Sequence, residues 1–515
     1  MPQQMTRRRF LRAAAGAAVA APAAVHCAAA PKRDGRLNVL FLMTDEQHYR
    51  SLSITGNPYV TTPHMDRIAR EGALFTHATC VTPYCSPSRA SIVTGLYPHT
   101  HGILTNVSPR RSRQHPLDPK AFPNTENLLH ARGYATRHRG KWHLGDKGKF
   151  GCYESWAYAS KTPRGYRDFL AKHLPASKFA GDKDPGRYLG RPVEKIPVVR
   201  KGWRRFNDLP NSRLGYIATI GRSVIPPKLL PETQITDQVL GLLDRHAKGS
   251  FMITASWSPP HDLWVIPEPY YSLVDRDKMR LRGTTKLPPW DQRGPSKKLG
   301  DIMGPEGVRE YAAIYHGMVK YIDDQLGRVL KKLDDLGLAD NTLVVFTSDH
   351  GDMAGAHGCI GKSIQGFFDD LVRIPLVMRL PGRIRPGTVV KKPVSQIDYL
   401  PTILDYLGVP IPEKIHGRSM RPLIEGRDVT WRDHAFCQRA NRARMLRTDR
   451  WKYVYAVGGG MLALYDLKSD PDEDRNLARD KAHAGTVRRM HARLLEVMTA
   501  DGDPLAAKLP KNPLA

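Results

Sequence analysis

"LNVLFLMTDE", Leu37–Glu46, is an apolar run that stops on two acids. Nothing from Leu37 to Thr44 carries a charge, which is the profile of a strand buried on both faces of a parallel sheet. The same shape returns in "NTLVVFTSDHGD", Asn341–Asp352, where Thr342 to Thr347 leads into Asp349 and His350. A third instance, "SFMITASWSPPH", Ser250–His261, runs into His261. Ligands of open α/β sheets gather at the carboxyl ends of the strands, so three strands ending in ligating or acid–base residues point to one shared site.

Helical patterns fall between these runs. "TPHMDRIAREG", Thr62–Gly72, has helical spacing and stops at glycine. From Tyr311 to Leu333 one stripe holds Ile314, Met318, Ile322, Leu326, Val329 and Leu333, which reads as core. Strands alternating with helices predict an α/β fold. The 515 residues, 41% of them hydrophobic, can bury a large core and predict one big domain plus a smaller one. Between Asp146 and about Lys248 the periodicity weakens and Gly, Pro, Lys and Arg rise. Aromatics such as Trp156, Tyr158, Tyr166 and Trp203 are interspersed, so residues 146–248 read as a basic, loop-rich insertion laid over the scaffold, where specificity resides. After "VSQIDYLPTILDYLGV", Val394–Val409, a Pro-rich stretch precedes "MLRTDRWKYVYAV" and "LALYDL". These hairpin-like runs predict a small C-terminal antiparallel sheet within residues 411–515.

The N-terminus reads as a targeting segment. Residues 1–30 combine Arg7, Arg8, Arg9 and Arg12 with an Ala/Gly-rich stretch and small residues suited to cleavage near Ala28 to Ala30. Thr6–Leu11 resembles a twin-arginine export signal, which implies export machinery as a partner and a periplasmic or secreted destination. His26 does not suit a lipoprotein cleavage site at Cys27, and a membrane anchor needs about 20 strongly apolar residues. No other stretch reads as a span. Removing residues 1–30 takes four arginines and no acid from the net charge of +29 and leaves +25. Such an excess attracts polyanions, among them sulfated or carboxylated glycans. The basic residues are scattered and match no nucleic-acid-binding module, so nucleic acid is not expected. Six cysteines at 27, 80, 85, 152, 359 and 437 form neither CxxC pairs nor a disulfide framework, which argues against structural zinc.

Cys85 stands in "TPYCSPSRASIVTG", Thr82–Gly95, with Pro87 at an early helical position and Arg89 one turn in. A helix start and an arginine both favour an anion or an activated oxygen or sulfur there. From the residues alone three readings stand open: a thiolate nucleophile, a buried structural cysteine, or a modified side chain.

"CSPSRASIVTG" resembles the signature of the type I sulfatases of the alkaline phosphatase superfamily, in which this cysteine is oxidised to Cα-formylglycine by a formylglycine-generating enzyme. The order of the other elements is similar to that family from about Leu37 to about Ala478. The resemblance implies an alkaline-phosphatase-like central mixed sheet flanked by helices, a catalytic domain over residues 36–410, and a C-terminal subdomain over 411–515. It implies a Ca²⁺ site at Asp45, Glu46, Cys85, Asp349 and His350, with Glu46 standing where many members have a second aspartate. An oxygen-rich, carboxylate-dominated set suits a hard cation. "GKWHLG" supplies Lys141 and His143, similar to a sulfate-binding lysine and the histidine beside the formylglycine. His261 in "SPPH" matches the histidine that approaches the leaving oxygen, and Lys362 in "HGCIGKS" matches a second sulfate-binding lysine. Two departures, "HDLWVIP" after His261 and "SIQGFFDD" after Lys362, fall at the pocket rim and bear on the substrate.

The implied reaction is sulfate ester hydrolysis. A hydrated aldehyde at position 85, ionised with help from Arg89 and the metal, attacks sulfur while Lys141 and Lys362 neutralise the sulfuryl oxygens. His261 protonates the departing alcohol, and His143 takes the second hydroxyl proton as sulfate leaves. Export, positive charge and aromatic-bearing loops favour a sulfated carbohydrate. Two other readings are a phosphonate or phosphate ester hydrolase of the same superfamily and an inactive polyanion-binding protein.

Overall fold

Strand β1, Asn38–Asp45, lies inside the central sheet, and every one of its residues is buried. Alternation along the strand sends Val39, Phe41 and Met43 into one core and Leu40 and Leu42 into another. The computed structural model describes residues 35–108, 114–145, 220–223, 225–292 and 294–514, together with positions 170, 173 and 193–194. The signal-peptide reading of residues 1–30 and the aromatics Trp156, Tyr158, Tyr166 and Trp203 lie outside the described residues.

The central sheet has seven strands: β1, then β2 (Ala73–Phe75), β3 (Ala135–Gly140), β4 (Phe251–Pro260), β5 (Thr342–Ser348), β6 (Leu376–Arg379) and β7 (Thr388–Val390). Their order across the sheet is β7-β2-β6-β5-β1-β4-β3. Strand β1 pairs in parallel with β4, Leu40 opposite Ile253, and with β5, Leu40 opposite Val344. Strand β6 runs antiparallel to both β5 and β2, so the sheet is mixed, as expected. The parallel centre explains the three uninterrupted apolar runs, because helices cover both faces.

Helices α1 (Pro63–Arg70), α2 (Cys85–Thr94), α3 (Thr125–His130), α4 (Pro231–His246), α5 (Pro295–Asp335), α6 (Tyr399–Tyr406) and α7 (Ala484–Ala500) supply the layers. One face receives Met65 and Ile68 of α1, Ile235 and Val239 of α4, and the stripe of α5 from Ile314 to Leu333. The other receives Ala90, Ile92 and Val93 of α2 with Leu400, Ile403 and Leu404 of α6. Helix α5 is interrupted at Gly304, whose φ of 69° and ψ of 176° are non-helical and are followed by Pro305.

The loop reading of residues 146–248 fails over its last part. Strand pairing at Ile220–Ser223 and the whole of α4 are regular, and Ile235, Val239, Leu242 and Leu243 of α4 are buried. A helical stripe was present there, surrounded by the Lys, Arg, Gly and Pro of its neighbours.

The C-terminal sheet is four antiparallel strands in sequence order: β8 (Ala435–Arg439), β9 (Ala443–Arg447), β10 (Trp451–Ala456) and β11 (Leu462–Asp466). Helix α7 packs Val487, Leu494 and Met498 on its face, in one cluster with Val81, Tyr97 and Ile397. This sheet is joined to the central-sheet layers, and residues Asp34–Ala515 form one compact unit. Gln438 N–H donates to Val81 O at 2.8 Å. Lys452, wholly buried, pairs with Asp369 at 2.7 Å and Glu473 at 2.6 Å, while Arg447 holds Asp369 at 2.9 Å. Among the described residues no helix is long and apolar enough to cross a membrane.

Candidate active site

The carboxyl ends of β1, β3, β4 and β5 converge on the amino end of α2. Cys85 opens that helix and Tyr84 is its extended N-cap, while Arg89 follows one turn later. Cys85 and Asp45 are fully buried. Lys362 Nζ lies 3.1 Å from Cys85 Sγ, His350 Nε2 3.4 Å, Lys141 Nζ 3.6 Å, and Asp45 Oδ1 3.6 Å. His143 also helps hold the Cys85 thiol down. Burial pushes the Cys85 thiol up, but Lys141, Lys362 and His350 outweigh it and hold the thiol well below its ordinary value. The surroundings therefore favour negative charge on the side chain of residue 85.

Arg89 organises the floor of the site. Its Nε donates to Asp349 Oδ2 at 2.8 Å and its Nη2 to Asp45 Oδ2 at 2.9 Å. Its Nη1 donates to Lys141 O at 2.7 Å and Ser256 Oγ at 2.9 Å. One guanidinium thus sets the spacing of both strand-end carboxylates and the turn carrying Lys141. Lys141 Nζ pairs with Asp45 Oδ2 at 2.5 Å.

Asp45, Cys85, Asp349 and His350 each present a ligand atom, all within 4.8 Å of one another. The two carboxylates feel each other: burial and Asp45 push the Asp349 carboxyl up, against Arg89 and His350. His350 Nδ1 is hydrogen-bonded to Gly351 O at 2.9 Å, which turns Nε2 toward the carboxylates, 3.8 Å from Asp349 Oδ1. Burial holds His350 down, yet Asp349 lifts it above its ordinary value. A field that favours a proton on Nε2 also favours a metal cation there, so these residues fit a bound cation.

Glu46 takes a different position from the other residues read as ligands. It has a φ of 66°, and its carboxylate groups with Asp45 and His261 rather than with His350. It pairs with Lys362 and meets Asp352, whose carboxyl is pushed well up by burial and by Glu46. Tyr311 donates to Asp352 Oδ1, and Tyr315 Oη donates to Glu46 O at 2.8 Å.

His261 Nε2 stands 3.5 Å from Glu46 Oε1, and its Nδ1 is 2.5 Å from Asp262 Oδ1. Burial disfavours a charged imidazole, but Asp262 and Glu46 reverse that and hold His261 well above its ordinary value. The departure seen in "HDLWVIP" thus gives His261 a carboxylate partner. The ten residues read from the sequence as metal-ligating or catalytic come together here. Sequence reasoning took Asp262 only as part of a departure at the pocket rim, and it missed Asp352, Asn106 and Gln396. Asn106 Nδ2 is 3.9 Å from Cys85 Sγ, and its Oδ1 accepts Ser86 N–H at 3.1 Å. Gln396 Oε1 accepts Ser88 Oγ–H at 2.8 Å while its Nε2 donates to Asp349 O at 2.7 Å, joining α2 to β5. Asp352 had a signal, as the last residue of the acidic "SDHGD".

A cleft of about 380 Å³ opens over this centre, lined among the described residues by Glu46, Tyr84, Asn106, His261, Asp262, Trp264, Ile360, Lys362, Gln365 and Arg439.

The sulfatase family model matches residues 37–409, and a model described as "N-sulphoglucosamine sulphohydrolase, C-terminal" matches 355–500. The chain is 27% identical to an N-acetylglucosamine-6-O-sulfatase of Bacteroides thetaiotaomicron, over 91% of this chain and 88% of the relative. It is 30% identical to the multifunctional alkaline phosphatase superfamily protein PehA of Trinickia caryophylli, over 88% of this chain and 93% of the relative. The fold is similar to that of the phosphonate monoester hydrolase of Agrobacterium radiobacter, with a TM-score of 0.73, 24% identity, and coverage of 90% and 96% of the two chains.

Proposed function

The chain belongs to the sulfatase family of sulfuric ester hydrolases, and on that premise we propose that it is an exported sulfatase acting on sulfated carbohydrates. In this reading Cys85 becomes formylglycine and Asp45, Asp349 and His350 hold a calcium ion. The observation that carries it is the convergence of Lys141, Lys362, His350 and His143 on the side chain of residue 85. The sulfur marks the place an oxygen nucleophile would take. Formylglycine supplies a hydrated aldehyde that can release sulfate without a stable ester, and calcium supplies positive charge beside it.

The chain's own residues do the rest. Lys141 and Lys362 flank position 85 and neutralise sulfuryl oxygens as charge develops; each such donor is worth about 10²- to 10³-fold in kcat. Both ammonium groups are held above their ordinary value, Lys141 by Asp45 and Cys85 against burial, and Lys362 by Cys85 and Glu46 against burial. His261, kept protonated by Asp262, carries a proton at Nε2 on the cleft side for the departing alcohol. His143 acts on residue 85 from beside it and is the group assigned to take its second hydroxyl proton. Arg89 keeps Asp45 and Asp349 apart and aligned.

Carbohydrate sulfates are supported by the N-acetylglucosamine-6-O-sulfatase relative and by the net charge of +29. The arginine run from Arg7 to Arg9 supports twin-arginine export to the periplasm or beyond, with a formylglycine-generating enzyme acting first. The test is the mass of the Cys85 peptide in protein coexpressed with that enzyme, alongside sulfate release from sulfated sugars. Replacement of CH₂SH by CHO in the active fraction, and loss of turnover in Cys85→Ala, are expected. An unmodified thiol in fully active protein would overturn the proposal.

A second reading, hydrolysis of phosphonate or phosphate esters, is favoured by the likeness to the multifunctional PehA relative. Turnover of an aryl sulfate and a phosphonate monoester by one preparation separates the two, and faster phosphonate hydrolysis would reverse the order.

A further inference from the structure

Among the described residues, several buried cations are held in ion pairs. Arg89 has Asp45 and Asp349, Arg444 has Asp503, Arg447 has Asp369, and Lys452 has Asp369 and Glu473. Arg439, at the end of β8, is the exception on the wall of the catalytic cleft. It is 4% exposed and forms no ion pair among the described residues. Its Nη1 donates to Tyr84 Oη at 3.2 Å and its Nη2 reaches Gly366 O at 3.4 Å, while Nε makes no hydrogen bond. Its guanidinium carbon lies 5.0 Å from the Tyr84 ring centre and 5.8 Å from that of Phe367. Asp291 feels the charge of Arg439, but its Oδ1 accepts the amides of Gln365 and Gly366.

A desolvated guanidinium without a carboxylate is costly, and its planar fork is shaped for an oxyanion. Two aromatic faces fix its plane, and Tyr84 immediately precedes Cys85. Resting on the sulfatase reading above, we propose that Arg439 binds a second anionic group of the substrate, a carboxylate or a further sulfate, beside the scissile sulfate ester. The preferred substrate is then a sugar with at least two negative charges, and the C-terminal sheet supplies the residue that selects it.

The test compares wild type, Arg439→Gln and Arg439→Lys on three substrates: a sulfated N-acetylhexosamine, its N-sulfated counterpart, which adds one sulfate, and a sulfated hexuronate, which adds one carboxylate. Wild type is expected to prefer at least one of the two dianions over the monoanion. Arg439→Gln is expected to cut that preference, as a ratio of kcat/KM values, by about 10- to 100-fold, the scale of a charge-assisted contact. Arg439→Lys, which keeps the charge and loses the fork, falls between. The dianion whose ratio collapses identifies the group bound. No dianion preference in wild type, or ratios within about two-fold of wild type in Arg439→Gln, would overturn the proposal. If no sulfate is released from any substrate, the sulfatase reading fails. Calorimetric affinity of Cys85→Ala protein for the two dianions, with and without Arg439→Gln, then decides the Arg439 proposal, and equal affinities refute it.

Discussion

Glu126 offers a sharp test of how burial sets charge near the site. It is the second residue of α3, 4% exposed, and its Oε2 makes no hydrogen bond. Phe41, Met43, Trp142 and Ile403 surround it in a small cavity that reaches Arg89. Burial pushes its carboxyl from 4.5 up to about 7. The native state therefore keeps a proton that the unfolded chain gives up near its ordinary value. Between those two points the native state binds more protons, so stability falls as pH rises and the loss is complete just above the native value. At about 1.4 kcal/mol for each pH unit, the full penalty is about 3 kcal/mol. Glu126→Gln preserves the shape and cannot ionise. Urea unfolding of both proteins at about pH 5 and about pH 8 isolates the effect, since other titrating groups cancel in the difference. The variant should gain on wild type by about 2 to 3 kcal/mol across that interval. A difference that stays flat, or one that shrinks as pH rises, would refute the claim that this carboxyl is held neutral by burial.

Asp262→Asn removes the carboxylate that keeps His261 protonated, so kcat should fall about 10- to 100-fold, and more steeply for substrates with poorer leaving groups; a loss independent of the leaving group would remove His261 from proton delivery. Lys452→Met leaves Asp369 and Glu473 facing each other in the buried junction, which should cost about 3 to 5 kcal/mol in chemical unfolding. Adding Glu473→Gln should restore at least half of that, and no restoration would mean that packing of the lysine stem, rather than charge, holds the junction. Treatment with a chelator should abolish turnover and lower the unfolding temperature, because Asp45 and Asp349 lose a shared cation, and Ca²⁺ should restore both; unchanged behaviour in chelator would exclude a bound cation from this site.

The readability of this chain followed where the physics was local. Strand β1 and its two parallel neighbours were legible because burial on both faces leaves an uninterrupted apolar run, and the residue that ends each run is the one the sheet delivers to its edge. Cys85 and Arg89 were legible as a helix start, and α2 begins at Cys85. Helix α4 was hidden because its stripe of Ile235, Val239 and Leu242 is short against basic, glycine-rich surroundings. Strand β8 was missed because "AFCQR" mixes apolar and polar residues that are all buried, so no alternation shows. Asn106, Gln396 and Arg439 could not be found at all: each acts on a segment 20, 308 or 355 residues away, and nothing in its own neighbourhood records that partner. The orientation of Glu46 toward Lys362 and His261 likewise depends on a backbone φ of 66° that no pattern announces.

The bond from Gln438 to Val81 also sets a clock. Cys85 has no exposed surface in the folded protein, and the strand that pairs with Val81, just before it in the chain, is made roughly 350 residues later in synthesis. At about 5 to 20 residues per second, that interval is on the order of 20 to 70 s. On the formylglycine reading proposed above, the modifying enzyme has this window in which to meet position 85 on a chain still lacking its last sheet. A host that translates faster, or a variant whose C-terminal sheet docks earlier, would then accumulate protein that is correctly folded yet permanently unmodified.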